Sequence, residues 1–478
     1  MLLVLTLIIV SCTDDFDEIN TDPNNPTSVP AENLFTQAQF SLVDEMWGRA
    51  LNFEYAMLMV QHFAQVEYAE DSRYNQSNST FNTPWVTLFA GNQDTQSDGG
   101  LANVQEAMEL TMEDPNINEA QRNNRLAQLG IMRAWTFQII TDVWGDVPYS
   151  EALQPNEFPF PAYDPQENIY SGLLAELDEA LGRISTSESG FASGDVLFGG
   201  DMASWGRFGN SLKLRMGMRI SDVDATLAST VVSEAMSSSL GLIGNNEQNA
   251  VFVFNSDQRL ANPFYVDNVI NNRDDFAVSE ILISRMESAN DPRLSAYALR
   301  NTNDEFVGMP YGLTDADAFA LNTVTSRPNG SIREATAPAT LLSYAEVEFL
   351  RAEAIQRNFT TGDASQSYAN AIEASMKQWG ISDQSAIDSY LAAHPYDAAN
   401  FKESIGYEKW IALYTQGVEA WAERRRLDAP SLPVPEAAVL DMIPVRAFYP
   451  AVEQEANATN LDAVGFNNQT TKVWWDVF

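Results

Sequence analysis

The chain has 478 residues, 66 acidic side chains against 27 basic ones, a net charge of −39 and a single cysteine. So acidic a surface repels nucleic-acid phosphates and anionic headgroups, which excludes a nucleic-acid binder, and one cysteine excludes an internal disulfide. With only two histidines, His62 and His394, a three-histidine zinc site and an HExxH protease are excluded, and there is no GxSxG elbow, P-loop or GxGxxG at a helix start. Both histidines read as ordinary core or surface residues. The carboxylate excess reads as solubility. The nearest approach to a calcium loop, Asn92-x-Asp94-x-x-x-Asp98-Gly99, lacks EF-hand spacing and its terminal Glu, so no metal and no cofactor is expected.

From the N-terminus, Leu2 to Val10 form an apolar run that is too short to span a bilayer and has the length of a signal-peptide core. Ser11-Cys12 and the acidic cluster Thr13-Asp14-Asp15-Phe16-Asp17-Glu18 follow. The small residue before Cys12 resembles the lipobox of bacterial lipoproteins, and the acidic cluster resembles a surface-export signal of Gram-negative lipoproteins. The expected division is a signal peptide over 1–12 with Cys12 as the lipidated (palmitate-bearing) residue, a flexible tether over 13–30 punctuated by Pro23, Pro26 and Pro30, and one α-helical domain over 31–478.

Within that domain, Leu34, Phe35, Ala38, Leu42 and Met46 recur at helical spacing and predict one or two helices up to about residue 65. Residues 68–100 turn polar and aromatic and predict a long loop carrying Tyr68, Tyr74, Phe81, Trp85 and Phe89, with Trp85 assigned to core. Helices are expected over 101–113 and 117–143, and again over 165–184 after a Pro-rich excursion at 146–165. A Gly/Ser-rich loop at 186–210 precedes helices at 210–220 and 223–239. Residues 241–343 are a loop-rich insertion with one clear helix at about 275–289. Helices return over 343–357, 364–378, 383–392 and 400–427. Nowhere does the sustained alternation of a large sheet appear, so the fold class is mainly α.

Ala352, Ala364 and Ala371 are spaced by twelve and seven, with Tyr368 between the last two. Tetratricopeptide hairpins place small residues at such offsets because their two helices approach closely. The segment 117–184 is a candidate second hairpin, split by its Pro-rich insertion.

Six phrases in order carry a family resemblance: Arg133-Ala-Trp135 through Asp142-Val-Trp144-Gly145-Asp146-Val-Pro148-Tyr149; Asn262-Pro263-Phe264-Tyr265; Asn290-Asp291-Pro292-Arg293-Leu294; Ser343-Tyr344 through Glu353-Ala354; Glu408-Lys409-Trp410 through Trp421 and Arg424-Arg425-Arg426; and Ile443-Pro444-Val445-Arg446 to Tyr449-Pro450. Together with the lipobox they resemble the SusD/RagB family of nutrient-binding outer-membrane lipoproteins, nearest to its SusD-like second branch. Each phrase also reads structurally. Gly145 and Pro148 end a helix, Glu348 and Arg351 form a helical pair, Trp410 and Trp421 form a stripe on one helix, Asp291-Pro-Arg293 locks a turn, and Arg424 to Arg426 oppose a helix dipole.

The resemblance implies a tetratricopeptide-type helical scaffold with long irregular loops facing a ligand. It further implies a lipid-anchored, surface-exposed, non-enzymatic receptor on the outer membrane, partnered with a SusC-like TonB-dependent transporter that imports oligosaccharides or, alternatively, peptides. The family's binding residues vary, so none is carried over, and candidates rest on chemistry. Sugars are held by aromatic faces and by amide or charged groups, and long loops commonly carry function. That selects Tyr68, Arg73, Tyr74, Asn75 and Phe81 in the first loop, Phe264, Tyr265 and Arg273 in the central region, and Tyr311 beside Pro310 and Gly312. The alternative for each ring is a satellite core beneath its loop. A rival from another class is an all-α glycoside hydrolase, which needs two carboxyls set across a cleft; no local motif marks such a pair.

Overall fold

The computed structural model describes residues 29–92 and 97–478. Cys12 with its apolar run, the tether before residue 29 and the middle of the Asn92–Gly99 segment lie outside the described residues. The body is built of helices: α1 (Ala31–Met46), α2 (Asn82–Ala90), α3 (Gly100–Glu113), α4 (Glu119–Trp144), α5 (Gln166–Arg183), α6 (Met202–Arg219) and α7 (Ala225–Ser237). After the irregular central region come α8 (Glu280–Ser288), α9 (Tyr344–Gln356), α10 (Ala364–Gln378), α11 (Gln384–Ala393), α12 (Phe401–Ala412) and α13 (Gly417–Leu427). No helix among the described residues is long and apolar enough to cross a membrane.

Side chains set the helix boundaries. Asn118 and Gln121 form a capping box at the start of α4. Asp201, Ser343 and Asp363 accept from free N–H groups in the first turns of α6, α9 and α10. At the other end of α4, Gly145 takes a positive φ of 83° and its N–H reaches Thr141 O at 2.7 Å, so the helix stops where the Trp-Gly-Asp-Val-Pro phrase predicts.

The α9–α10 hairpin matches the tetratricopeptide reading. Ala352 and Ala371 are fully buried between the helices, Tyr368 packs on Phe349, and Ala364 is half-buried at the entry. The α4–α5 pair is a second such hairpin. Gly130 lets the two backbones approach, since a Cβ there would sit 3.2 Å from that of Ala180. A buried ionic lattice ties the hairpins together. Arg215 donates to both oxygens of Glu346, at 2.6 and 2.7 Å, joining α6 to α9. Arg426 makes a two-pronged bond to Glu353, at 2.7 and 2.6 Å, joining α13 to α9. Arg219 reaches Glu419 at 2.6 Å and Asp142 at 3.2 Å, and Lys409 meets Glu423 at 2.8 Å. Arg293 holds Asp291 and reaches across to Glu408, which makes the Asp-Pro-Arg turn a long-range lock. Glu348 pairs with Arg351 at 3.0 Å, as spaced.

Four expectations need correction. Residues 82–90 of the supposed first loop are helical, because Trp85, Leu88 and Thr87 present one buried face that binds the segment to the core. Helix α6 begins eight residues earlier than periodicity suggested, since Asp201 caps it and Trp205 and Phe208 are buried. The 400–427 helix breaks into α12 and α13 around Thr415, at φ 74°, where Gly417 packs so tightly that a Cβ would meet Met57 N at 2.8 Å. Trp410 and Trp421 therefore lie on different helices, donating to Val60 O and Pro444 O. The Arg424–Arg426 run also does more than neutralise a helix end: Arg425 donates to the carbonyls of Val445 and Asp142, and Arg426 enters the lattice.

The central region is stabilised by two small antiparallel pairings. β1 (Phe63–Gln65) pairs with β3 (Phe276–Val278), and β2 (Ala250–Val253) pairs with β4 (Pro338–Leu342). One apolar core runs from Leu34 to Trp475 beneath both.

Candidate functional site

Between the two pairings lies a cavity of about 440 Å³, within the ~300–1,000 Å³ range of small-ligand sites. Its rim is set by two tryptophans that each follow a helix. Trp47 caps α1, its N–H bonded to Val43 O at 3.0 Å. Trp379 caps α10, and Gly380 after it turns the chain away with φ 80°. Tyr297 and Tyr414, stacked at 4.2 Å, buttress Trp379 with centroids 4.7 and 5.7 Å from its ring. The floor is apolar: Phe53, Met57, Phe63 and Phe264 from the core side, Val251 and Pro338 from β2 and β4.

Polar groups are few, and several are unused. The Trp379 indole N–H is buried with no partner among the described residues. Trp47 also has a buried, unpartnered indole N–H, but this residue borders a second, water-sized void as well. Asn249 accepts the Tyr344 N–H through Oδ1 at 2.7 Å, which leaves its NH2 free. Gln378 makes only a long 3.5 Å bond from Nε2 to Thr340, leaving its carbonyl oxygen free. A ring face, apolar walls and free amide groups form a surface able to stack on a sugar ring and bond its hydroxyls. No Asp, Glu, His, Lys or Cys is among its lining residues, and its hydroxyls are those of Ser331, Thr340 and Thr415. Among the described residues no group of three or more His, Cys, Asp or Glu side chains is placed to hold a metal ion.

The nine residues named from sequence fall into three sets. Tyr74 and Phe81 are core. Tyr74 is 1% exposed, its phenol pushed up to about 12 by burial, and Phe81 is fully enclosed against Tyr55 and Trp144. The expectation that these two rings face a ligand is therefore corrected; each fills space beneath its loop. Phe264 is also largely enclosed, against Phe53 at 4.5 Å, yet its remaining surface floors the cavity. Its neighbour Tyr265 is half-buried, and Asn262 caps the turn by accepting from Phe264 N–H, so this phrase is a structural element that also shapes the cavity.

The third set lies on a separate surface. Tyr68 is 60% exposed with a left-handed φ of 54°, and the Arg273 guanidinium sits 4.9 Å over its ring. Arg273 is fixed by Asp275 at 2.6 Å. Arg73 is half-buried near Asp315, Asn75 is exposed, and Tyr311 is partly buried with its hydroxyl donating to Leu58 O at 2.7 Å. The two surfaces share a wall. Arg49 bonds Asp275 at 2.7 Å and lies 5.4 Å from the Phe276 ring, which packs on the cavity-lining Phe53. Burial opposes the Arg49 cation, but Glu54, Asp267 and Asp275 outweigh it and raise its pKa. Burial raises nearby Asp71 to about 7.

Trp47 and Trp379 were not found by sequence reasoning. Both are followed by glycine, but so are Trp144, which is enclosed, and Trp205, which is inside α6, so the dipeptide does not single them out.

The chain matches the SusD-like family model described as "Starch-binding associating with outer membrane" over residues 23–450. A solved structure titled as a chitin-binding protein is 27% identical, covers 94% of this chain and 100% of its own, and superposes with a TM-score of 0.82. A SusD homolog from Bacteroides uniformis is 24% identical over 94% and 99% of the two chains, with a TM-score of 0.81. A chitin-binding SusD homolog from Flavobacterium johnsoniae is 23% identical over 94% and 98%, with a TM-score of 0.79. No curated protein matches the chain.

Proposed function

The chain belongs to the SusD-like family, and from that premise we propose that it is a non-enzymatic receptor of the outer membrane that captures oligosaccharides in the cavity beside Trp379. The observation that carries this reading is the combination of a buttressed indole, a buried unpartnered N–H and free amide groups around one cavity of ligand size. Stacking a sugar on such a ring buries the sugar's apolar C–H face against a large aromatic surface, and each hydrogen bond formed with an otherwise unpartnered group adds about 1 kcal/mol. A neutral glycan is not repelled by the −39 charge that turns away polyanions.

Around that site the reading extends to the cell. Cys12 carries the lipid anchor, the segment to residue 30 is the tether, and a SusC-like TonB-dependent transporter takes the captured oligosaccharide. The Tyr68–Arg273 surface, with Arg73, Asn75 and Tyr311, is a second aromatic face for longer chains. Calorimetric titration with starch, chitin and cellulose oligosaccharides and with short peptides tests the proposal. Saturating heat with one sugar class, lost in Trp379→Ala, is the expected result. Heat with peptides alone would make the chain a peptide receptor of the same family, and release of product from any polysaccharide would return the hydrolase.

A further inference from the structure

The cavity does not end at its rim. Asn249 and Gln378 also line an adjoining open groove of about 620 Å³, walled by Tyr344, Asn370, Glu373 and Lys377 at the edge of the α9–α10 hairpin. The two parts differ in chemistry. The groove offers amides, a phenol and the Glu373–Lys377 pair at 2.6 Å, together with an unpartnered buried Oδ1 on Asn246. The cavity floor, by contrast, is made of Phe53, Met57, Phe63, Val251, Phe264 and Ile332. A bare hexose pushed onto that floor buries hydroxyls with nothing to bond them, which is costly. A sugar bearing an acetyl group places a methyl there instead and leaves the amide N–H and C=O for the free groups of Gln378 and Asn249 at the rim.

Resting on the receptor reading above, we infer that cavity and groove form one elongated site for the end of an N-acetylated oligosaccharide. The terminal acetamido sugar enters the cavity against Trp379, and the sugars that follow lie along the groove past Gln378 and Tyr344. The site therefore selects acetylated chains and gains affinity with length over the first few units.

The test compares β-1,4-linked N-acetylglucosamine oligomers with cello-oligosaccharides of equal length, which share the backbone and lack the acetamido group, and with deacetylated chitosan oligomers. The full chain is titrated with each. The expected result is binding of the acetylated series, about tenfold or more tighter than the cello series, with affinity rising from dimer to tetramer. Tyr344→Ala removes the gain with length but not dimer binding, and Ala296→Met, which narrows the cavity from its small-residue side, weakens every acetylated ligand. Equal affinity for the cello series, or tighter binding of the cationic chitosan oligomers to this acidic chain, overturns the inference while leaving the receptor reading intact. Silence from every sugar overturns the receptor reading itself, and displacement of a bound acetylated oligomer by an apolar peptide would reassign the cavity to peptide side chains.

Discussion

The helical body and the cavity district differ in what their polar side chains are for: charged pairs that tie helices together in the one, uncharged groups around an open space in the other. In the body, Arg215, Arg219, Arg293 and Arg426 are all fully enclosed, and each is paired with at least one carboxylate. Around the cavity, the Trp379 N–H, the Asn249 amide and the Gln378 carbonyl are left with little or nothing inside the protein to bond. A buried polar group without a partner destabilises, and the body has such groups too, the Trp135 indole N–H among them; what sets the Trp379 N–H apart is the ligand-sized cavity that its residue lines. The contrast separates positions whose loss unfolds the protein from positions whose loss costs binding.

The largest effect that sharpens this contrast is expected at Arg426. Arg426→Met leaves Glu353 and Glu423 enclosed without their main counter-charge, a loss of ~3–5 kcal/mol, read as a large fall in thermal midpoint with ligand affinity of the remaining folded protein unchanged. Tyr74→Ala also belongs to stability. Emptying a 1%-exposed aromatic site costs about 3 kcal/mol or more, whereas Tyr68→Ala, at a 60%-exposed ring, leaves the midpoint within ~0.5 kcal/mol. Equal effects of the two tyrosine variants would break the division between core rings and surface rings.

Next in size is a pH effect at the end of α1. Burial raises Asp44 to about 7 and Glu45 to about 8, the latter helped by Asp44 itself. The folded state therefore holds protons that the unfolded chain has already released, and stability falls as pH rises towards 8. Burial lowers His62 to about 3, so its own contribution grows only up to its unfolded value of about 6.5. Between pH 6.5 and 8 the carboxylates act without it. Denaturant midpoints are expected to drop over that window, and Glu45→Gln to flatten the drop; a rise with pH would contradict the assignment. The smallest effect is Gln378→Ala, expected to weaken ligand binding a few-fold with no measurable change in midpoint, because its only bond is 3.5 Å long.

How much of this was legible follows the same division. Helical periodicity placed α3, α4, α5, α9 and α10 within a residue or two, because their apolar faces meet neighbours a few residues or one hairpin away. The Ala352–Ala371 spacing named the hairpin, and Asn290-Asp-Pro-Arg gave the turn that follows α8. The break between α12 and α13 was not legible, since Gly417 stands where it does because Asn52 and Met57, far off in sequence, pack on it. The same reason hid the site. Trp47, Asn249, Thr340 and Trp379 come from four distant segments, and no local spacing connects them. Loop composition pointed instead to rings such as Phe81, where an aromatic in a polar stretch serves as an anchor for that stretch. Phe264, expected as a loop ring, is a core ring with one face on the cavity.

The central claim is that ligand binds at Trp379. Its most direct test is titration of the wild-type chain, Trp379→Ala and Tyr68→Ala side by side against one N-acetylglucosamine oligomer series, with thermal midpoints recorded for each. The account predicts that Trp379→Ala loses about tenfold or more in affinity while remaining folded, and that Tyr68→Ala retains binding of the short oligomers. Unchanged affinity in Trp379→Ala with loss in Tyr68→Ala would contradict it and move the site to the Tyr68–Arg273 surface.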